Sequence, residues 1–393
     1  MYPRLPNQCF FMKNIKSKKQ SAVYFENLDA LRFIAFFVVF LHHVFSLFYY
    51  RPGNPYATEF ISRCLQNGNL GVNFFFVLSG FLITYLLLKE KEQTDTIRIG
   101  AFYMRRVLRI WPVYFLVLIL CFYIIPGLGG YAGDPKLNRS LYFFFMGNFD
   151  LVKNGVGNFL VSVLWSVSIE EQFYLFWPLF LSFIPVKHVV KFFVAIVVIS
   201  ILFRIYGHTG KSLNLMLSYH TLSAVYNLAI GGVIAYLGTQ ESMVEKFRRI
   251  SKPVIIVVYT IGLALIILQK DILALEPRGV HHYIMSVLPL FYALFFAFVI
   301  VEQVYSEHSL FKAGKIPYLS KLGTISYGLY CYHLVIIFLV GATLTSFGFN
   351  VPKPDGVLFT FEVILSFVIT VLVAAASYRF IEKRFLQYKA NFK

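Results

Sequence analysis

Charge is scarce in this 393-residue chain: 14% of its residues are Asp, Glu, Lys or Arg, against 58% that are hydrophobic. Soluble globular domains carry about 25% charged residues. The scarcity, with a mean hydropathy of +0.68, excludes a water-soluble fold and indicates an integral membrane protein. Acid is scarcer still, with 19 Asp and Glu against 36 Lys and Arg. In a soluble chain a net charge of +17 would suggest nucleic acid. Here few charges lie within the apolar runs and most lie between them, so the basicity reads as topological and no nucleic-acid partner is expected. The four cysteines, Cys9, Cys64, Cys121 and Cys331, show no CxxC or metal-ligand spacing. They read as small packing residues, and no metal site is expected. Also lacking are an internal repeat, a low-complexity tract and an appended soluble domain. No small-residue cleavage pattern closes the first apolar run, so the first helix is expected to stay attached.

What the chain does have is apolar runs. A spanning helix needs about 20 apolar residues, and ten candidates meet or approach that length: roughly 30–50, 69–88, 107–126, 164–184, 188–206, 218–238, 253–269, 283–304, 326–347 and 358–380. The pair flanking Pro185 leaves open one broken helix, and 141-LYFFFMG-147 is too short to span and reads as interfacial. With the N-terminus placed in the cytoplasm, 25 Lys and Arg fall on the inner side and 10 on the outer, with Arg32 inside a run. That bias follows the positive-inside rule and puts both termini in the cytoplasm. The fold class is therefore all-α, a polytopic membrane protein of about ten helices. Residues 1–27 form a basic cytoplasmic tail, 28–386 one membrane domain and 387–393 a short tail. The long outer loop near residues 127–163, with 126-PGLGGYAGDP-135, could cover an opening.

The first run, 28-LDALRFIAFFVVFLHHVFSLFYY-50, contains Arg32, His42 and His43. An ionisable side chain at membrane depth costs about 2.5–3.5 kcal/mol on insertion scales and usually marks function. Eleven helical steps turn 1100°, within about 20° of three full turns, so Arg32 and His43 share a face about 16 Å apart along the axis. His42 points about 100° away. Asp29, three residues before Arg32, can pair with it. The functional reading is a polar stripe along a cavity, and the bland one is a snorkelling arginine with histidines bonded to carbonyls.

Further signals follow. In 71-GVNFFFVLSGFLITYLL-87, Gly71, Ser79 and Gly80 permit close helix approach. In 102-FYMRRVLRIWPVYFL-116, Arg106 and Arg109 are three apart at the start of the third run, a spacing suited to a phosphate and equally to a positive-inside anchor. In 164-LWSVSIEEQFYLFWPLF-180, Glu170 and Glu171 stand early in an apolar segment. His281, His282 and His308 lie between runs and read as solvated surface.

Together these stretches, followed by 322-LGTISYGLYCYHLVI-336 and 376-ASYRFIEKRFL-386, resemble in order the membrane-bound acyltransferase-3 family over about residues 28–386. The family is marked by an arginine and a histidine separated by ten residues, here Arg32 and His43. The resemblance implies a ten-helix membrane domain that moves an acyl group, most often acetyl, from cytoplasmic acyl-CoA to a hydroxyl of a cell-surface or lipid-linked carbohydrate. It implies a bacterial inner-membrane location, a carbohydrate or glycolipid acceptor, contact with membrane lipids, and room for glycan-assembly partners. His43 is then the candidate base or covalent acyl carrier, with Arg32 and Glu170 beside it in the catalytic set. Arg106 and Arg109 are candidates for the CoA phosphates, and Asp29, Ser79, Glu171, Tyr330 and His333 for the cavity wall. Two positions depart from the pattern: Asn73 stands where Asp is frequent, and Lys383-Arg384 where a step to proline is common. Larger members carry a C-terminal hydrolase-like extension that is not seen, so the chemistry is expected to finish in the membrane domain or with a separate partner. The competing readings are a secondary transporter or flippase using buried Arg, His and Glu, and a non-catalytic scaffold. The first lacks paired inverted halves, and the second leaves the aligned Arg32 and His43 unexplained.

Overall fold

The computed structural model describes residues 25–49, 68–128, 133, 135–206, 213–274, 281–349 and 356–392. Regular structure among them is entirely helical. The principal helices are α1 Glu26–Tyr49, α2 Asn69–Thr94, α3 Ile99–Ile119, α4 Leu164–Phe183, α5 Val189–Tyr206, α6 Thr221–Leu237, α7 Lys252–Ile267, α8 His281–Tyr305, α9 Ser326–Ser346 and α10 Gly356–Ser377. Among the described residues nine helical spans are long and apolar enough to cross a membrane, and α7 joins an amphipathic helix, Glu241–Arg248, at a bend of 85°. The 16 residues of α7 are short of the usual spanning length of about 20. The ten apolar runs thus correspond to ten helices, the seventh being the shortest.

The structure fixes three boundaries more closely than the sequence does. Helix α3 begins at Ile99 and continues through a π-turn at Leu120–Ile124. Arg106 and Arg109 therefore sit inside the helix rather than at its start, since Arg105, Arg106 and Arg109 interrupt an apolar pattern that begins at Ile99. The segments flanking Pro185 are two spans, because proline lacks the N–H that would continue α4 and the chain instead makes a 3-10 turn at Val186–His188. Lys91, near the end of α2, donates to the carbonyls of Leu181, Ser182 and Ile184 at 2.7, 3.1 and 3.0 Å. This satisfies oxygens that a helix C-terminus leaves open and fixes the ends of α2 and α4 at one end of the bundle. Finally, residues 387–392, expected as a tail, are helical, and Phe392 O accepts from Arg105 Nη1 at 2.7 Å, which holds them against α3.

The segment between α3 and α4 is built from short helices, Arg139–Phe143, Gly147–Asn154 and Phe159–Ser162. The Tyr114 hydroxyl donates to Tyr142 O at 2.7 Å, and Tyr142 is buried while Phe144 is 74% exposed. The aromatic stretch thus packs on one side only.

Small residues bring α2 against two neighbours. A Cβ on Gly80 would strike the carbonyl of Leu228 on α6, one on Gly231 would strike the carbonyl of Val77, and one on Gly71 would meet Ala35 O of α1 at 2.6 Å. The α2 and α6 backbones are in direct contact, the close approach that drives association where lipid supplies no hydrophobic force. Gly80→Ala is expected to lower thermal stability in detergent by about 1–3 kcal/mol equivalent, since backbone cannot swing away as a side chain can. Gly100→Ala, whose Cβ meets nothing within 4 Å, is expected to leave the melting temperature unchanged. Equal melting of the two variants would show that the α2–α6 contact is loose.

Candidate functional site

A cluster of charged interior residues lies at the end of the bundle where α1 begins. Arg32 donates through Nη1 to the Asp29 carboxylate, an ion pair whose side chains are 19% and 8% exposed. One helical turn separates the two, the pairing expected from their spacing. Arg32 faces two adjoining cavities, both of which are also lined by Arg106, Arg109 and Tyr327. The outer of these, about 430 Å³, adds Asp29, Glu382 and Lys389. The inner, about 110 Å³, adds Ser79, Ser166, Glu170, Tyr174 and Tyr330.

The inner cavity is ordered by hydrogen bonds. Ser79 Oγ donates to Glu170 Oε1 at 2.6 Å, and the Tyr174 hydroxyl donates to Ser79 Oγ at 3.3 Å. Ser79 is therefore a cavity residue, whereas Gly71 and Gly80 on the same helix are packing residues. Glu171 leaves the cavity: its Oε2 accepts from Trp111 Nε1 at 3.0 Å, joining α4 to α3. Arg106 lies 5.6 Å from the centroid of the Phe102 ring and 5.9 Å from that of Tyr174, and its buried Nε has no hydrogen-bond partner. A guanidinium held by ring faces with an open N–H is prepared for an anionic acceptor.

His43 is placed differently from Arg32. It does not line either cavity; its Nδ1 lies 3.0 Å from His333 Nε2, and His333 Nδ1 lies 2.6 Å from Tyr330 O. A carbonyl can only accept, so His333 carries its proton on Nδ1. With both rings neutral, His333 Nε2 accepts from His43 Nδ1–H, and the lone pair of His43 is left on Nε2. The chain of bonds reaches the cavity wall at Tyr330, whose hydroxyl is 2.7 Å from Ser166 Oγ and donates to Val163 O at 3.1 Å. Glu170 bonds Ser79 rather than His43. The ring of His42 lies against Gly68, just before α2.

Tyr327, Glu382 and Lys389 were not singled out from sequence. Tyr327 had a signal, since Tyr327, Tyr330 and His333 recur every three residues along α9 and each reaches the site. Glu382 and Lys389 stand among basic residues that resemble a solvated anchor. Asn73 lines a separate cavity. His308 is exposed, and the side chains of His281 and His282, with Cys9 and Cys64, lie outside the described residues. Cys121 and Cys331 are free and buried. Among the described residues no group of three or more His, Cys, Asp or Glu could hold a metal ion.

An all-helical bundle with about ten membrane-crossing helices, a cationic cleft and an adjoining histidine pair defines a polytopic membrane protein with an internal polar site. The chain belongs to the acyltransferase-3 family, whose model, described as an acyltransferase domain, matches residues 25–379. It is 26% identical to the peptidoglycan O-acetyltransferase OatA of Listeria monocytogenes, over 96% of this chain and 59% of the relative. It is also 26% identical to the O-acetyltransferase OatA of Staphylococcus aureus, over 93% of this chain and 58% of the relative. The chain thus spans about three-fifths of the length of the curated relatives it matches. No solved structure matches it.

The Asp29–Arg32 pair predicts strong coupling. Asp29→Asn leaves a mostly buried guanidinium without its carboxylate and is expected to destabilise more than the double variant Asp29→Asn/Arg32→Gln. A coupling energy of about 1–3 kcal/mol from thermal denaturation of the cycle is the expected outcome. Additive effects would mean that solvent in the cavity already screens the pair.

Proposed function

We propose that this protein transfers an acyl group, acetyl in the first instance, from acyl-CoA to a hydroxyl of a cell-surface or lipid-linked carbohydrate. The observation that carries the reading is the convergence of Arg32, Arg106, Arg109 and Lys389 on one 430 Å³ cavity in which, among the described residues, Asp29 and Glu382 are the acids. Such a surplus of cations suits phosphate or pyrophosphate. His43, eleven residues along α1 from Arg32, is about 16 Å deeper on helix rise. That separation suits a donor whose anionic groups and reactive carbon lie at opposite ends of a long flexible arm, as they do in acyl-CoA. Family membership supports group transfer over the competing transport reading.

In the proposed reaction, His43 Nε2 takes the proton of the acceptor hydroxyl as its oxygen attacks the thioester carbon. The C–O bond forms, the C–S bond breaks, and the sulfur leaves with the proton returned from Nε2, yielding ester and free CoA. His333 positions His43 by accepting its Nδ1–H. Arg106, Arg109, Arg32 and Lys389 bind the donor's phosphates, and Glu170 with Ser79 lines the path between. With the N-terminus cytoplasmic, as the basic bias indicates, the cationic cleft faces the cytoplasm, where acyl-CoA is found, and a bacterial inner membrane is the expected location. The length of the relatives leaves room for a further domain or glycan-assembly partner in the complete system.

Purified protein in nanodiscs with radiolabelled acetyl-CoA and a membrane glycan extract tests the proposal. Wild type is expected to transfer label to glycan. His43→Ala is expected to lower transfer by at least about 100-fold while acetyl-CoA binding stays within about twofold, and Arg106→Ala to weaken that binding about tenfold or more. His333→Ala is expected to act on turnover rather than on acetyl-CoA binding. Monodisperse protein that neither binds nor turns over acetyl-CoA or longer acyl-CoAs would overturn the reading.

A further inference from the structure

A third cavity, about 150 Å³, is lined by residues of α2, α6 and α8 together with Trp165 of α4, Arg204 of α5, Leu217, Ser218 and Gln269. On α2 it touches Asn69 and Asn73, whereas the cationic cleft touches Leu82 and Leu86. Nine residues of helix rise, from Asn73 to Leu82, put about 14 Å between the two levels. The cavity therefore lies toward the α1 C-terminal end, the level at which His42 packs on Gly68. Phe76, in the wall of the inner cavity, meets Trp165, in the wall of this one, edge to face with centroids 5.9 Å apart, so an aromatic contact lies between the two spaces.

The chemistry of its wall is unlike that of the cationic cleft. Arg204 lies there, but its guanidinium donates to the carbonyls of Ser286, Leu217, Ser223 and Met285 at 2.8, 2.9, 3.0 and 2.9 Å and serves the fold. Among the described residues no carboxylate lines the cavity. Asn227 donates through Nδ2 to Ala224 O at 3.1 Å, which orients the amide and leaves Oδ1 buried with no partner. One helical turn away, the Ser223 hydroxyl is likewise buried and unpartnered. Asn227 is 0% exposed and Ser223 1%. Gln269 is held through Oε1 by the Tyr292 hydroxyl at 3.1 Å, so its amide N–H groups remain to donate. Unpartnered Asn227 Oδ1 and Ser223 Oγ and the Gln269 amide, set beside Trp165, Tyr226 and Tyr292, match a ring that has hydroxyls on its rim and C–H groups on its face. A cationic headgroup would find no carboxylate among the described residues of this wall, and the Arg204 guanidinium is turned to four backbone carbonyls. The volume is about ten times what one water needs, which suits a sugar ring.

We infer that this cavity binds a neutral saccharide unit of the acceptor, with Asn227 and Ser223 hydrogen-bonding its hydroxyl or acetamido groups and Trp165 packing on its face. Its role as an acceptor site rests on the acyl-transfer reading, but its existence as a saccharide site does not. Donor and acceptor then enter from opposite ends of the bundle and meet across the Phe76–Trp165 contact.

The test is saturation-transfer NMR on the full chain in nanodiscs, with N-acetylglucosamine and its β1,4-linked disaccharide as probes and acetyl-CoA binding measured on the same samples. Saturable saccharide binding is expected, weakened at least about tenfold in Asn227→Leu and measurably in Ser223→Ala, with acetyl-CoA affinity unchanged. The serine variant removes a single unpartnered oxygen, so it guards against misfolding of the leucine variant. Absence of saccharide binding to wild type at about 50 mM, or binding equal to wild type in both monodisperse variants, would overturn the inference and leave the cavity to water. Asn227-dependent saccharide binding by protein that ignores acetyl-CoA would uphold this site while defeating the donor reading.

Discussion

A charge enclosed by hydrocarbon has no water to turn to, so the chain must complete each buried ionic group with its own atoms. It does this in two ways. Arg204 and Lys91 are closed off by backbone carbonyls, four around the guanidinium and three around the ammonium. Four of the five N–H donors of Arg204 and all three of Lys91 are taken by carbonyls, and what these cations hold is the junction of helices. Around the cationic cleft the solution is different. Arg32 leans on one carboxylate, Arg106 on two ring faces with an N–H to spare, and Lys389 joins them from the far end of the chain. Unfinished compensation separates the candidate site from the merely buried, and the arrangement of α1, α3 and the C-terminal helix follows from it.

What could be read from sequence was whatever depends on local periodicity. The ten apolar runs are ten helices, and three-residue spacing foretold the Asp29–Arg32 pair. The division of Ser79 from Gly80 could not be read that way. Both are small residues suited to packing, and only the approach of α4 shows that one faces Glu170 while the other faces the α6 backbone. Glu382 and Lys389 were illegible for the same reason. In sequence they belong to a basic terminus, and the fold returns that terminus to α3 through Arg105, 287 residues away. Arg204 errs in the opposite direction, since a charge flanking an apolar run is ordinarily solvated and this one is buried among carbonyls.

The glycine contacts between α2 and α6 and the cavities on either side of them belong to one design. Because the backbones touch at Gly80 and Gly231, α2 is held close to one neighbour while larger side chains hold others away. Polar space is thereby left at both ends of α2, one end rich in cations and the other lined by amides and hydroxyls beside the carbonyl-bound Arg204.

The hydrogen-bonded line from His43 through His333 ends at the carbonyl of Tyr330, and a carbonyl cannot pass a proton on. Buried histidines in a bundle that crosses an energised membrane are potential stepping stones for protons, and a continuous relay would dissipate the gradient the cell maintains. Terminating the line on backbone closes this route at Tyr330, so that in the proposed reaction His43 Nε2 both takes up and returns the proton.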